Sequence, residues 1–364
     1  MLTYLKREWP LGAAIVTTAL FLAFGGAWLA DLASAAWFGF MSGWLFAVIL
    51  IASFAAVRHA EAIAHRLGEP AGTLVLTLAV TGIEVAIIAA VMYGGKGNAA
   101  LARDAMFAVV MIVLNGMVGL SLLLGGLRHH EQTYNLQGAN AFLAVIIPIA
   151  VLGLVLPNFT VSSPGPTLSA MQATFLIVMS IALYGVFLAI QNLRHREYFV
   201  DAAAGAEHDA LHEAASLAYH APLLLLYLGA VMLLAKQLAV PINYGIHVLH
   251  APAALGGFLV SVLVLAPESL SAARAALANQ LQRAVNLLLG SVLASISLTI
   301  PAVLAIGFIA DQTIILGLDA ADTTLLVLTL AVSTLTFASS RTNVLLGAVH
   351  VLLFLTYLML IFEK

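Results

Sequence analysis

The sequence predicts an all-α polytopic membrane protein with about eleven transmembrane helices, arranged as an N-terminal helix followed by two inverted five-helix repeats. Three observations lead to this fold class. The composition is 63% hydrophobic and only 9% charged, whereas soluble domains carry about 25% charged residues. The apolar residues form continuous runs of about 20, the length that crosses a bilayer as a helix. One of these runs recurs later in the chain with a carboxylate at the same place.

Composition also excludes several classes of protein. A net charge of -3 over 364 residues lacks the strongly basic footprint of a nucleic-acid-binding protein. The absence of cysteine excludes disulfides, thiolate metal sites and cysteine nucleophiles. Continuous apolar runs such as 141–147 and 223–226 exclude a transmembrane β-barrel, whose strands alternate polar and apolar residues. The first apolar run has no cleavage site followed by a polar domain, so we interpret it as a retained span.

A window of about 19 residues locates the spans in order along the chain. Turn-forming residues such as Pro157 and Pro241 fall at or between the ends of the runs. The predicted spans are 11–30, 34–56, 72–93, 105–126, 139–156, 168–191, 219–239, 253–273, 284–308, 321–339 and 343–361. They divide the chain into a first helix, 1–31, a first repeat, 32–193, a loop rich in histidine and acidic residues, 194–218, and a second repeat, 219–364.

Lysine and arginine predict the orientation of these spans. With the N-terminus inside, ten of the 14 basic residues lie in inner segments and four in outer segments, as the positive-inside rule requires. An odd number of spans then places the C-terminus on the periplasmic or extracellular side and the 194–218 loop in the cytoplasm. We therefore expect a multi-pass protein of the cell (inner) membrane.

The internal repeat carries a pair of carboxylates. Residues 72–84 align with residues 256–268 at a constant offset of 184, so Glu84 corresponds to Glu268. The two predicted spans run in opposite directions, as in the inverted repeats of many secondary transporters. These are the only acidic residues well inside predicted spans, where a charged carboxylate costs about 2.5–3.5 kcal/mol. The symmetric pair predicts a site for cations and protons.

Residues near the pair add candidate ligands. Gly82 and Pro267 are poor helix formers, so we expect locally unwound backbone whose carbonyl oxygens help to bind a cation. Asn115, Ser291 and Ser295 lie in the following spans and are further candidates for binding the cation or its protons. The alternative is helix packing, for which membrane proteins commonly use small and hydroxylated residues.

The charge of the pair predicts exchange of cations for protons. Ca²⁺ prefers several oxygen ligands, including carboxylates, and Ca²⁺ with two carboxylates is formally neutral, as are two protonated carboxyls. The empty, doubly ionised pair is costly to bury, so only the loaded forms would cross. Na⁺ or K⁺ could occupy one carboxylate while the other keeps its proton. We expect a secondary-active antiporter that exports Ca²⁺, and Na⁺ or K⁺, against H⁺ by alternating access.

Five stretches, 58–70, 72–85, 265–269, 279–301 and 340–347, closely resemble the bacterial ChaA-type calcium/sodium–proton antiporters. This family belongs to the cation/proton exchanger branch of the calcium/cation antiporter superfamily. The resemblance implies eleven helices and transport of Ca²⁺ or Na⁺ against H⁺, with no enzymatic activity and no cofactor. In the family one acidic residue on each repeat is the metal-ion ligand, and these positions match Glu84 and Glu268.

Related exchangers carry a Gly-Ser signature in each repeat, and this chain matches that signature in only one of its two repeats. The signature matches Gly290 and Ser291 in the second repeat. At the offset of 184 the first repeat has Met106 and Phe107 there, and Asn115 reaches that place only if about nine additional residues are allowed in the preceding loop.

The 194–218 loop contains a second candidate site. Its residues Glu207, His208, Asp209, His212 and Glu213 place two histidines on one helical face with acids beside them, which suggests a regulatory divalent-ion site. The alternative is an exposed polar helix. The spacing of the two histidines also suggests a membrane metalloenzyme as an alternative. However, the zincin signature has Glu directly after the first His, and this sequence has Asp209 there. A channel or uniporter would share the carboxylate pair without proton exchange.

Eight of the 11 histidines lie in predicted cytoplasmic segments or at their edges, among them His59 and His220. Because histidine titrates near physiological pH, such residues could make transport respond to cytoplasmic acidity. The alternative is that they are solvated loop residues without this role.

Overall fold

The computed structural model describes residues 7–68, 71–93, 98–199 and 217–363. Within these ranges there are eleven long helices, the number that the sequence predicts. They are α1 (Trp9–Trp28), α2 (Ala35–Leu67), α3 (Ala71–Tyr93), α4 (Leu101–His129), α5 (Leu136–Leu154), α6 (Ala170–Arg194), α7 (Leu217–His247), α8 (Ala253–Leu277), α9 (Leu281–Ile309), α10 (Ala320–Thr336) and α11 (Val344–Phe362). Ten are long and apolar enough to cross a membrane, and α10 is a shorter apolar helix. The predicted all-α polytopic membrane class is confirmed.

The remaining regular structure is small. Two-residue strands β1 (Gln132–Thr133) and β2 (Arg341–Thr342) pair antiparallel, with Gln132 opposite Thr342. Short 3₁₀ turns cover Leu156–Phe159 and Arg196–Tyr198.

Side-chain caps fix where several helices begin. Asn135 accepts hydrogen bonds from two backbone N–H groups at the start of α5, and Ser169 forms a capping box with Gln172 at the start of α6. Asp319 and Asn343 cap α10 and α11 in the same way. These caps satisfy backbone donors that have no partner inside their own helix, and so they set the register of the helices that follow.

Helices α2 and α7 continue well beyond the spans predicted for them. The predicted spans end at 56 and 239, whereas the helices end at Leu67 and His247. Pro241, predicted to separate runs, lies inside α7. That part of the prediction is wrong, because a membrane helix tolerates proline when neighbouring groups satisfy the freed backbone. Polar residues end a hydrophobic window without ending a helix.

Irregular backbone occurs in α4 and α9 rather than beside the carboxylates. α3 and α8 are continuous α-helices through Gly82 and Pro267, so the expected unwinding there is wrong. The proline removes one backbone donor, which deprives the Leu263 carbonyl of its helical hydrogen bond, and the helix continues. π-helical turns instead interrupt α4 at Met111–Met117 and α9 at Ser295–Thr299, and a third ends α6 at Ile190–Arg194.

The π-helical turns inside α4 and α9 occupy equivalent places in the predicted repeats. Met111 and Ser295 are 184 positions apart, the offset that relates Glu84 to Glu268. Single π-helical turns inside α-helices are rare and occur frequently at functional sites. The same backbone feature therefore follows each carboxylate helix at the same distance along the chain.

The described helices form two compact units. The first contains α1, α2, α3, α7 and α8 as far as Pro267, and the second contains α8 from Glu268 together with α4, α5, α6, α9, α10 and α11. Each unit thus takes helices from both predicted repeats. In the first unit α2, α3 and α7 pack against one another, and in the second α4 packs against α11.

Candidate functional site

Glu84 is deeply buried in the first unit. It lies near the middle of α3 with 1% of its surface exposed. A carboxylate at this depth is costly unless it is protonated, paired or bound to a cation. Glu84 therefore lies where the charge of its carboxylate must be balanced by one of these three means.

Glu268 is held by a hydroxyl in the second unit. It directly follows Pro267 in α8 and is half-buried. The Ser291 hydroxyl of α9 donates a hydrogen bond to Glu268 Oε2. Two of the residues singled out in the sequence are thus brought together, and the hydroxyl donor stabilises the ionised carboxylate.

The π-helical turn of α9 adds hydroxyl groups close along the helix. Ser295 begins this turn one helical turn after Ser291 and is 2% exposed, and Ser297 and Thr299 are fully buried. Within the described residues, the hydroxyls of Ser297 and Thr299 have no hydrogen-bond partner. Hydroxyl oxygens are acceptable ligands for a hard cation or its water. Neither Ser297 nor Thr299 was among the candidate ligands identified from the sequence.

Asn115 belongs to a buried network in the second unit. Its Nδ2 donates to Thr329 Oγ1 of α10 at 2.8 Å, and its Oδ1 lies 3.1 Å from His350 Nδ1 of α11. His350 Nε2 lies 2.9 Å from Thr336 Oγ1. With Nδ1–H donating to the amide oxygen, Nε2 accepts from the threonine hydroxyl. Asn115 therefore joins three helices while its Oδ1 keeps a second lone pair for a ligand.

The π-helical turns bear on the repeat alignment. At the offset of 184 that relates their first residues, Asn115 corresponds to Thr299. The correspondence of Asn115 with Ser291, which requires additional residues in the preceding loop, stays a prediction. Sequence reasoning missed His350, although a histidine inside an otherwise apolar span is itself a functional indication.

Two buried acids at helix ends were also not singled out. Asp104 in the first turn of α4 is 6% exposed and pairs with Arg103 at 2.8 Å. Asp322 in the first turn of α10 is 5% exposed. Both acids lie where a helix N-terminus favours negative charge, which explains how they are accommodated.

The other metal predictions concern the segment before α7. Glu207, His208, Asp209, His212 and Glu213 lie outside the described residues. Over the part of the chain that the structure describes, no three His, Asp or Glu side chains converge as metal ligands.

Comparison with known proteins is consistent across sequence and fold. The model of the family described as sodium/calcium exchanger protein matches residues 36–193 and 220–363. A Sinorhizobium fredii protein whose name describes it as an ionic transporter, y4hA, is 46% identical over 311 residues, 85% of each chain. The sodium-potassium/proton antiporter ChaA of Escherichia coli is 42% identical over 319 residues, 86% of each chain.

Solved structures share the fold. Native YfkE matches with a TM-score of 0.74 and 16% identity, covering 97% of this chain and 99% of that one. The H⁺/Ca²⁺ exchanger CAX matches with a TM-score of 0.64 and 16% identity, covering 97% and 88%. At this identity the likeness concerns the fold alone. The family model and the sequence relatives confirm the resemblance predicted from the motifs. This chain therefore belongs to the sodium/calcium exchanger protein family and is a multi-pass membrane cation antiporter.

Proposed function

We propose that the protein exports Ca²⁺, and Na⁺ or K⁺, in exchange for H⁺, and that Glu84 and Glu268 carry the cation and the protons in turn. The observation that carries the proposal is a carboxylate at the equivalent position of each repeat, one fully buried and the other hydrogen-bonded by Ser291. Two such groups offer a neutral state either with two protons or with one divalent cation.

Neighbouring oxygens would complete the coordination of the cation. The hydroxyls of Ser291, Ser295, Ser297 and Thr299 follow one another along α9, and Asn115 Oδ1 is a further candidate. Ca²⁺ takes six to eight oxygen ligands, and a monovalent ion needs fewer. The E. coli relative is named for sodium, potassium and protons, and a solved relative in fold for protons and Ca²⁺. These names support both classes of cation as substrates.

The proposed orientation has a cytoplasmic N-terminus and a periplasmic or extracellular C-terminus in the inner membrane. The excess of lysine and arginine on the inner side supports it. The 194–218 segment then lies in the cytoplasm, where its histidines and acids would regulate transport by binding a divalent ion.

Proteoliposomes with an imposed pH gradient test the exchange. Addition of Ca²⁺ or Na⁺ should collapse the gradient with the wild-type protein, while Glu84→Gln and Glu268→Gln should behave as empty vesicles because neither amide can bind a proton or neutralise a cation. Glu131→Gln is the matched control, since Glu131 is 62% exposed and pairs with an exposed arginine. It should transport as the wild type does.

Two results would overturn the proposal. Proton release at the wild-type level in both Glu→Gln variants would remove the carboxylate pair from the mechanism. Cation flux without any proton movement would instead identify a channel or uniporter.

A further inference from the structure

A cluster of polar side chains in the first unit lies apart from both transport carboxylates in sequence. Glu8 precedes α1, and Arg58 Nη2 of α2 donates to both of its carboxylate oxygens at 2.7 and 2.8 Å. The hydroxyls of Tyr219 and Tyr227 on α7 donate to the same carboxylate at 3.0 and 2.8 Å. His59 Nε2 lies 3.2 Å from Glu8 Oε2. With His220, these residues form what we call the histidine cluster.

Glu8 is an anion at neutral pH. Burial alone would raise its pKa, but the hydrogen bonds from Tyr227 and His59 and the charge of Arg58 together lower it below the ordinary value of 4.5. The cluster therefore contains a permanent negative charge that faces the imidazole of His59.

The rings of His59 and His220 contact each other through the same ring nitrogen, Nδ1. His59 Nδ1 and His220 Nδ1 are 2.8 Å apart, and His59 is 1% exposed with its ring stacked on that of Tyr227. A contact between two such nitrogens is a hydrogen bond only when one carries a hydrogen and the other offers its lone pair. His59 Nε2 lies 3.2 Å from Glu8 Oε2 and 3.3 Å from Arg58 Nη2. Because the two hydrogens of Arg58 Nη2 are directed to the Glu8 oxygens, we assign a hydrogen to His59 Nε2, and the neutral pair then has His220 Nδ1–H donating to His59 Nδ1.

This arrangement accepts one added proton but not two. A first proton on His220 Nε2 leaves the bond between the rings intact. A second proton puts hydrogens on both Nδ1 atoms, so the bond is lost and two cations face each other.

The charged groups around the two histidines also favour the first added proton and disfavour the second. The segments packed around the pair carry the following charged and titratable groups: Arg7 and Glu8 before α1, Arg58, Glu61, His65 and Arg66 on α2, Tyr219, Tyr227, Lys236, Tyr244 and His247 on α7, and Glu84 and Tyr93 on α3. Arg7, Arg58 and Arg66 repel a second proton on the pair, and Glu8 attracts the first.

We propose that His59 and His220 form a proton-binding contact, distinct from the transport carboxylates, that holds the start of α7 against α2 until both rings are charged. α7 directly follows residues 200–216, which connect the two predicted repeats. In the orientation proposed above, the contact faces the cytoplasm. Acidification of the cytoplasm would therefore release the start of α7 from α2.

Spin labels can measure this contact because the chain has no native cysteine. Leu67→Cys at the exposed end of α2 and Ala218→Cys at the exposed start of α7 provide two attachment sites in the full chain, reconstituted in nanodiscs. With His59 and His220 present, the distance between labels should be short and narrowly distributed at about pH 8, and longer once the pH falls to about 4, because burial and the nearby arginines disfavour the second proton. With His220→Gln, which keeps a donor and an acceptor but takes no charge, the distance should not change.

A matched control is His130→Asn. His130 is exposed at the end of α4, in the other compact unit, so this variant should keep the full pH response. An unchanged distance in the labelled protein with both histidines would overturn the proposal, as would a full response in His220→Gln.

Glu8→Gln gives a second test should His220→Gln not fold. Loss of the carboxylate that attracts the first proton should move the midpoint of the distance change to lower pH, and an unmoved midpoint would contradict the proposal. These distances need no transport, so their outcome is independent of whether the protein exchanges protons for cations.

Discussion

The π-helical turns of α4 and α9 share a position in the repeats but differ in the side chains that surround them. At Met111–Met117 the amide of Asn115 is bonded to Thr329 and His350, which ties α4 to α10 and α11. At Ser295–Thr299 the hydroxyls of Ser297 and Thr299 have no partner among the described residues.

The difference shows how a duplicated backbone can serve two purposes. In α4 the side chain of Asn115 in the π-helical turn is hydrogen-bonded to α10 and α11, so this turn links three helices. In α9 the same turn presents oxygens that protein groups leave open, on the helix that supplies the Ser291 hydroxyl to Glu268. We infer that the α4 turn mainly stabilises the second unit and that the α9 turn mainly contacts the transported ion.

The largest effect on stability is expected for Asn115→Ala. The substitution leaves the Nδ1–H group of His350 without its acceptor. It also removes the donor to Thr329 Oγ1, which keeps its contact of 3.6 Å to Met111 Sδ. Each buried polar group left unsatisfied costs about 1–3 kcal/mol. We expect a total loss of about 3 kcal/mol or more in the free energy of unfolding, measured by denaturant titration in detergent. If the variant keeps the stability of the wild type but loses affinity for the cation, the main role of Asn115 is to bind the cation and not to stabilise the fold.

Gly119→Ala should also destabilise the α4 region. A Cβ at this position would lie 2.9 Å from His350 Cβ and from the Val351 backbone nitrogen, and overpacking of this kind costs about 1–3 kcal/mol. Gly290→Ala in α9 is the matched control, because its Cβ would meet the Phe142 ring at an ordinary 3.6 Å. Equal loss of stability in both variants would contradict the distinction between the two helices.

Ser291→Ala should change transport rather than stability. Without the hydroxyl donor the ionised carboxylate of Glu268 is less stable, so protons compete more strongly with the cation for this carboxylate. The cation concentration that gives half-maximal transport at neutral pH should therefore rise about ten-fold. Raising the pH should restore much of the lost affinity. Ser121→Ala in α4, also buried at 2% exposure, should leave the cation dependence unaltered, and a similar rise there would point to a general packing effect.

The smallest effects are expected for Ser297→Ala and Thr299→Val. Each should weaken the apparent cation affinity by less than the Ser291 change, since each removes one neutral oxygen. The free energy of unfolding should stay the same or rise, because neither hydroxyl bonds to a described protein group and its removal leaves no buried partner unsatisfied. Loss of stability without any change in affinity would assign these hydroxyls to packing.

The fold was largely predictable because its determinants are local. Continuous apolar runs identify the helices, and the aligned segments ending at Glu84 and Glu268 identify the repeat. The ends of α2 and α7 were not predictable from a hydrophobic window, since residues such as Arg58 and Arg66 prolong a helix although they lie outside an apolar run.

The site was predictable only in part. Burial of an acid inside a span is visible in sequence, so both carboxylates could be found. The π-helical turns have no comparable local pattern in the sequence, so the sequence alone leaves open whether Asn115 corresponds to Ser291 or to Thr299. The bond between Asn115 and His350 joins residues 235 positions apart, and the His59–His220 contact joins residues 161 apart. Neither pairing follows from the residues adjacent to it in the chain.

The central claim is that cation and protons compete for Glu84 and Glu268. Its most direct test is proton release from the purified protein in weakly buffered detergent solution, followed with a pH indicator as Ca²⁺ or Na⁺ is added. The wild-type protein should release protons with a saturable dependence on the cation, and Glu84→Gln and Glu268→Gln should each reduce the amount released. Release at the wild-type level in both variants, or cation binding to the wild-type protein without any release of protons, would contradict the account.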